Sequence, residues 1–299
     1  MRCMERTRVD YCFESKEIHE LVKWVNESTS IEYNLELVGD SLAVYKKGVK
    51  FITDIKDNKK HVVCCKLSSP PKGYAKKDTI PLRTFLDNKE YFISSQDSRF
   101  ESSNQDIEKE FQYRLAKKLT VGVDTSMIAI SALLEYSQKH KGFRVDLVVV
   151  NFPESGERPF FTLVEIKRGP GSVGGEHGIK THLEDYTDII SNHVIHRTLV
   201  NDSELVLIQK TELGIIPNIR PNDIAKSLDI DISKTNILFV LADVQTDSDV
   251  LAKECGRITW EKYYNCPIEF AFVDSSDCDY KNYKRESVRE FSKRWTTQD

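Results

Sequence analysis

The sequence predicts an α+β chain in two parts, and three observations predict it. Short alternating apolar and polar runs fill the first hundred positions. Two longer runs rich in β-branched and aromatic residues cover 143–150 and 161–167. Helical periodicity lies on either side of those two runs. A small β-rich accessory module over 1–100 and a second domain over 101–299, with helices against strands, follow from this order.

In the first part, Ile18, Leu21, Val22 and Val25 recur at helical spacing within 17–25. Residues 33–38 and 41–45 alternate as strands do, and Gly39-Asp40 between them signals a hairpin turn. Further strands are expected over 49–55 and 61–67. No catalytic constellation accompanies them. The polar stretch 94–103 reads as a linker.

The second part opens on a helix over 106–119, with Asn104 or Asp106 as N-cap and Ile107, Phe111, Leu115 and Leu119 every fourth residue. At about 100° per residue that stripe drifts slowly, and Glu108 falls within its width while Glu110 lies off it. Residues 126–138 fit a helix as well as a strand. Then come the two apolar runs, joined by the turn formers of 151–159, a hairpin pattern. Side chains alternate along a strand, so Glu165 and Lys167 share a face with Phe161 and Leu163, while Val164 and Ile166 face the other way. Asp146, Glu165 and Lys167 therefore put charge at the polar ends of apolar strands, an expensive place unless a cation or substrate shares it. Surface charge on an edge hairpin is the bland alternative.

Two carboxylates and an ammonium in one pocket suit metal-assisted phosphodiester hydrolysis, in which carboxylates supply hard oxygen ligands for Mg²⁺ and the metal offsets charge developing on phosphorus. The pattern Asp146, then Glu165-Ile166-Lys167 nineteen positions on, resembles the PD-(D/E)XK superfamily, the restriction-endonuclease-like nucleases. Val145 stands where the family's name has proline. The resemblance implies that Asp146 and Glu165 bind Mg²⁺ or Mn²⁺ and that Lys167 acts on the nucleophilic water. It implies a core of helix, three strands, helix and strand over roughly 105–275, a mixed central sheet flanked by helices, with part of 126–138 as its first strand. A glutamate on the first core helix next to the metal is also implied. Glu108 is that residue, with Glu110 as fallback; early-turn acids that complement the helix dipole are the alternative.

After Lys167, residues 168–178 hold five of the chain's thirteen glycines, a mobile flap over a nucleic-acid backbone or an ordinary surface connection. The Gly-Lys-Ser/Thr ending of a Walker phosphate loop is missing. A helix over 179–195 follows, with Ile179, Leu183, Tyr186 and Ile190 at helical spacing and Lys180, His182 and Tyr186 on or near one side. Family members often carry a polar residue and a tyrosine here, so His182 and Tyr186, with Arg168 and Lys180, are the candidate substrate or phosphate contacts. His193 and His196 read as structural or exposed. Helices over 203–213 and 221–228, strands over 236–242 and 266–273 and a closing helix over 286–295 complete the order.

With 43 basic and 47 acidic residues the net charge is −4, which does not advertise nucleic-acid binding. A nuclease needs positive charge only around its cleft, and the basic clusters near the motif are 114–118 and 139–144. Seven cysteines without a CxxC pair are expected to be free thiols, with no metal on sulfur. No apolar run approaches membrane-spanning length and the N-terminus lacks the apolar stretch of a secretion signal, so a cytoplasmic protein without a membrane partner is expected. The expected partner is nucleic acid, DNA foremost, in anti-phage defence, restriction or DNA repair. The first hundred residues would recognise a partner protein, a nucleic-acid feature or a second copy. Two rivals stand beside this reading: a catalytically inactive binding or assembly protein of the same fold, and a hydrolase of some other phosphoester.

Overall fold

The computed structural model describes residues 14–28, 33–38, 41–57, 62–68, 70–74, 78–102, 107–121, 126–131, 134–135, 144–153, 156–219 and 229–295. The chain is α+β and forms two compact units, 1–125 with 204–228 and 126–203 with 229–299.

The first unit starts with α1 (Lys16–Glu27), whose N-cap Ser15 accepts a hydrogen bond from the Ile18 N–H and whose buried stripe is Ile18, Leu21, Val22 and Val25. Five strands follow as one antiparallel sheet in chain order: β1 (Tyr33–Val38), β2 (Ser41–Lys46), β3 (Val49–Asp57), β4 (Val63–Leu67) and β5 (Ile80–Pro81). The expected turn at Gly39-Asp40 lies outside the described residues, but Val38 pairs with Ser41 across it. Between β2 and β3 the chain turns through Lys47 and Gly48 at φ of 49° and 79°, the left-handed pair that a two-residue hairpin loop needs. Trp24, Tyr33, Phe51, Phe85 and Phe92 pack ring against ring between this sheet and the helices.

The expected linker over 94–103 is instead largely helix. After α2 (Leu82–Asp87), α3 runs Lys89–Ser102, anchored by the buried Phe92. A serine-rich stretch can continue a helix when an apolar residue fixes its first turns, because exposed helix positions tolerate small polar side chains at little cost. The next helix, α4 (Ile107–Val121), groups with the first unit rather than following a boundary near residue 100. Asn34 donates to the Tyr113 carbonyl at 2.6 Å, Tyr45 stacks on Tyr113, and Lys117 donates to the Val25 carbonyl at 2.6 Å. Burial holds that lysine's pKa down at about 8. Phe111 and Leu115 are buried as the periodicity implies, but Ile107 is 53% exposed, and Glu108 and Glu110 are both half-buried. The buried face is wider than the four-residue stripe, since Gln112, Tyr113 and Ala116 join it.

The second unit is built on a six-stranded sheet in the order Arg285–Ser287, Ile268–Val273, Asn236–Ala242, Phe160–Arg168, Leu147–Asn151 and Met127–Ser131. The ambiguous segment 126–138 contributes β6 (Met127–Ser131) and the short β7 (Leu134–Glu135), which pairs with β8 (Arg144–Val145). β9 (Leu147–Asn151) and β10 (Phe160–Arg168) form the expected antiparallel hairpin, from Phe160 opposite Asn151 to Val164 opposite Leu147. β10, β11 (Asn236–Ala242) and β12 (Ile268–Val273) run parallel, and β13 (Arg285–Ser287) returns antiparallel. Near-continuous apolar runs are what strands covered on both faces require.

The helix expected over 179–195 stops sooner. α5 covers Ile179–Ser191, Asn192 is extended, and its side chain accepts from the Val194 and Ile195 N–H groups, capping α6 (His193–Glu212). The stretch expected over 203–213 is the second half of α6, and 221–228 lies outside the described residues. α7 (Asp249–Cys255), which the sequence reading did not mark, precedes β12; the closing helix α8 spans Val288–Ser292, started by a capping box between Ser287 and Glu290. No helix among the described residues is long and apolar enough to cross a membrane. Cys64, Cys65, Cys255, Cys266 and Cys278 are free thiols; Cys3 and Cys12 lie outside the described residues.

Candidate functional site

Glu165 sits in mid-strand on β10, 2% exposed, where its own backbone is paired to β11. The two-residue period of the strand brings Lys167 to the same face, and its ammonium lies 2.6 Å from Glu165 Oε1. From above that face, α5 adds two more groups one turn apart. His182 Nε2 is 3.1 Å from the same Oε1, and the Tyr186 hydroxyl donates to Oε2 at 2.7 Å. Tyr186 packs edge-on against Phe239, the β11 residue paired with Glu165, which fixes α5 over this part of the sheet.

Asp146 enters from the neighbouring strand. The ladder between β9 and β10 reaches Val164 opposite Leu147, and one residue beyond it the half-buried Asp146 carboxylate takes over by accepting from the Ile166 N–H at 3.0 Å. A side chain thus completes the hydrogen bonding where the strand pairing ends.

The electrostatics follow from the crowding. Burial, with the positive charge of Lys167, pushes His182 down to about 4. The imidazole is therefore neutral at neutral pH, and because a carboxylate only accepts, its Nε2 carries the proton donated to Glu165. Burial first, then the negative charges of Glu165 and Asp146, raises the Tyr186 hydroxyl well above its ordinary 10, so it remains a donor. Asp146, Glu165, Lys167, His182 and Tyr186 form one cluster of two acids, a cation and two neutral donors.

Arg168 and Lys180 stand off this cluster. Arg168 follows Lys167 on the strand and so faces the other side, where Asp243 holds it at 3.0 Å. The Lys180 side chain is exposed on α5. Glu108 belongs to the first unit. Among the described residues, no three His, Cys, Asp or Glu side chains gather in a group able to hold a metal ion.

Glu254 of α7 is a contributor that the sequence reading did not single out. It is 6% exposed, and its Oε1 accepts from the Lys180 N–H, in the first turn of α5, at 3.3 Å. The glycine-rich segment that leads into α5 is held against it: Pro170–Ser172 form a 3-10 turn, Val173 is fully buried, and the Val173 carbonyl accepts from the Ile179 N–H at 2.9 Å. A Cβ at Gly178 would lie 2.7 Å from the Val173 carbonyl oxygen and 2.8 Å from Glu254 Oε1. The segment that the sequence leaves open as a flap or an ordinary surface connection is thus fastened to α7, its glycine allowing the close approach of backbone and carboxylate. No local pattern in the sequence marks Glu254, whose partner lies 74 positions away.

No family model, no curated protein and no solved structure matches this chain.

Proposed function

We propose that the second unit is a metal-dependent phosphodiester hydrolase of the PD-(D/E)XK type, acting on nucleic acid and on DNA foremost. The observation that carries the reading is the gathering of Asp146, Glu165 and Lys167 at the end of one antiparallel strand pair, under a helix that supplies His182 and Tyr186. The succession of β6, β9 and β10, then α5, then β11 parallel to β10 agrees with the strand–helix–strand portion of such a core.

The donor set fits a hard divalent cation. Asp146 and Glu165 are the residues that would hold Mg²⁺ or Mn²⁺, an ion that keeps several waters and takes phosphate oxygens as further ligands, so two protein carboxylates suffice. When bound, it would offset the charge that develops on the phosphoryl oxygens. Lys167 would orient the attacking water and screen the same charge, a role suited to an ammonium fixed beside the carboxylates. Tyr186 and His182 hold the Glu165 carboxylate in one orientation. The first unit would recognise a partner protein, a nucleic-acid feature or a second copy, in restriction, anti-phage defence or DNA repair.

A second reading has one observation in its favour. Glu165 already accepts from Lys167, His182 and Tyr186, and a carboxylate so satisfied has less to offer a cation, which suits a binding protein that keeps the fold without catalysis. The two readings separate when plasmid, linear and single-stranded DNA and RNA are incubated with Mg²⁺, Mn²⁺ or EDTA beside Asp146→Asn and Lys167→Gln, with folding checked by circular dichroism. Metal-dependent cleavage lost in both variants supports the enzyme. Binding of nucleic acid without cleavage of any substrate supports the second reading.

A further inference from the structure

A pocket of about 860 Å³ opens in the second unit and shares no lining residue with the Glu165 cluster. Its size falls in the range of about 300–1,000 Å³ usual for small-molecule sites. Thr235 of its lining is next to Asn236, which pairs with Thr162 three residues before Glu165. That is roughly 10 Å along the strand from the carboxylate cluster.

One wall is the first half of α6. His193, Arg197 and Asn201 lie four residues apart on it and line one stripe of the helix. The opposite wall carries Ser233 and Thr235, and the two walls are tied by His196, whose Nε2 is 2.8 Å from Thr235 Oγ1. The His196 ring is buried, so this tie is set before any ligand arrives.

Arg197 supplies a guanidinium to the lining and, among the described residues, no carboxylate lines it, in a chain whose acids outnumber its bases by 47 to 43. Arg158, Arg168, Arg285 and Arg294 of the unit are each held by a carboxylate, whereas Arg197, like Arg257 outside the pocket, is exposed and has no side-chain ion pair or hydrogen bond to a described residue. An uncommitted planar cation beside a second titratable donor suits a phosphate group. The rest of the lining is apolar: Ile190, Val194, Ile232 and Pro267 offer a ledge, with Val194 69% exposed. A phosphate site next to an apolar ledge with amide and hydroxyl groups at its rim matches a ligand that joins a phosphate to a flat, polar-edged ring.

We propose that this pocket binds a nucleoside monophosphate, with the phosphate on Arg197 and His193, the base on the apolar ledge and Asn201 and Ser233 reading its polar edges. The inference stands apart from the Glu165 site, and its test runs in EDTA so that metal-dependent cleavage plays no part. The full chain is titrated calorimetrically with adenosine and guanosine 5′-monophosphates, with the parent nucleosides and with inorganic phosphate. Arg197→Ala, His193→Ala and the exposed control Arg257→Ala are titrated in parallel, with circular dichroism to confirm folding. A monophosphate should bind at least about tenfold more tightly than its nucleoside or phosphate alone, and Arg197→Ala should weaken it by about tenfold or more while Arg257→Ala leaves it unchanged. Absence of monophosphate binding, equal binding of nucleoside or of bare phosphate, or full affinity in Arg197→Ala overturns the proposal.

Discussion

In the first unit, Glu36 of β1 holds Lys210 at 2.7 Å; in the second, Glu165 of β10 holds Lys167 at 2.6 Å, and all four side chains are 10% exposed or less. Length and burial make the pairs near twins, yet their surroundings differ. Neither Glu36 nor Lys210 has another ion pair or hydrogen bond from its side chain to a described residue. Glu165 has two further donors and a second carboxylate nearby. Because removing two charges from water can cost as much as their attraction returns, a buried ion pair alone says little about stability or function. The surplus of polar groups around Glu165, beyond what one pair needs, is what distinguishes a candidate site from a structural contact.

The widest separation between the pairs should come from replacing each whole pair by apolar residues. Glu165→Leu with Lys167→Met should remove nucleic-acid cleavage by at least about a thousandfold, whereas Glu36→Leu with Lys210→Met should leave it within a few fold. The Glu36 and Lys210 double variant should be as stable as the parent or more so, by about 1–4 kcal/mol in urea unfolding, whereas the Glu165 and Lys167 one leaves the Tyr186 hydroxyl and His182 Nε2 without their acceptor and should lose about 1–3 kcal/mol for each. Loss of cleavage in the Glu36 and Lys210 variant would erase the distinction. Truncating one partner is a different matter: Lys210→Ala should cost about 3–5 kcal/mol, since Glu36 is left charged and buried alone. A loss below about 1 kcal/mol would show that water reaches the pair.

Smaller effects sharpen the site itself. Tyr186→Phe takes one donor from a charged acceptor and should cost about 1.5–3 kcal/mol by denaturant titration; no change would mean that the hydroxyl is replaceable by water. The smallest expected effect is on pH dependence. His182 is held at about 4, below its ordinary 6.5, so on acidification the unfolded chain takes up the proton first. Its contribution is complete above about 6.5 and is lost as pH falls toward about 4, on the order of 1 kcal/mol after allowance for solvent screening. Unfolding curves in EDTA at closely spaced pH should show that slope, and His182→Asn should flatten it.

The parts legible in the sequence were those governed by short-range periodicity. The hairpin over β9 and β10 and the common face of Glu165 and Lys167 follow from alternation over a few residues. Where a feature depended on distant packing, the pattern misled or fell silent. The serine-rich stretch in α3 gave a linker signal by composition, although Phe92 anchors it as helix. Asn192 offered a cap inside an apparently continuous helical pattern, and only the backbone reveals that it divides α5 from α6. Choosing Glu108 over Glu110 rested on a stripe beginning at Ile107, which is exposed. Glu254 could not be linked to α5 from spacing, because no local rule joins positions 74 apart.

The crowding at Gly178 also bears on descent. A Cβ at 178 would lie 2.7 Å from both the Val173 carbonyl oxygen and the Gly174 carbonyl carbon, backbone atoms that no change at 254 removes. In chains that share this fold, glycine is therefore expected to persist at 178 even where the residue at 254 varies. Such persistence would be a mark of common ancestry readable even where the residues around Glu165 have drifted.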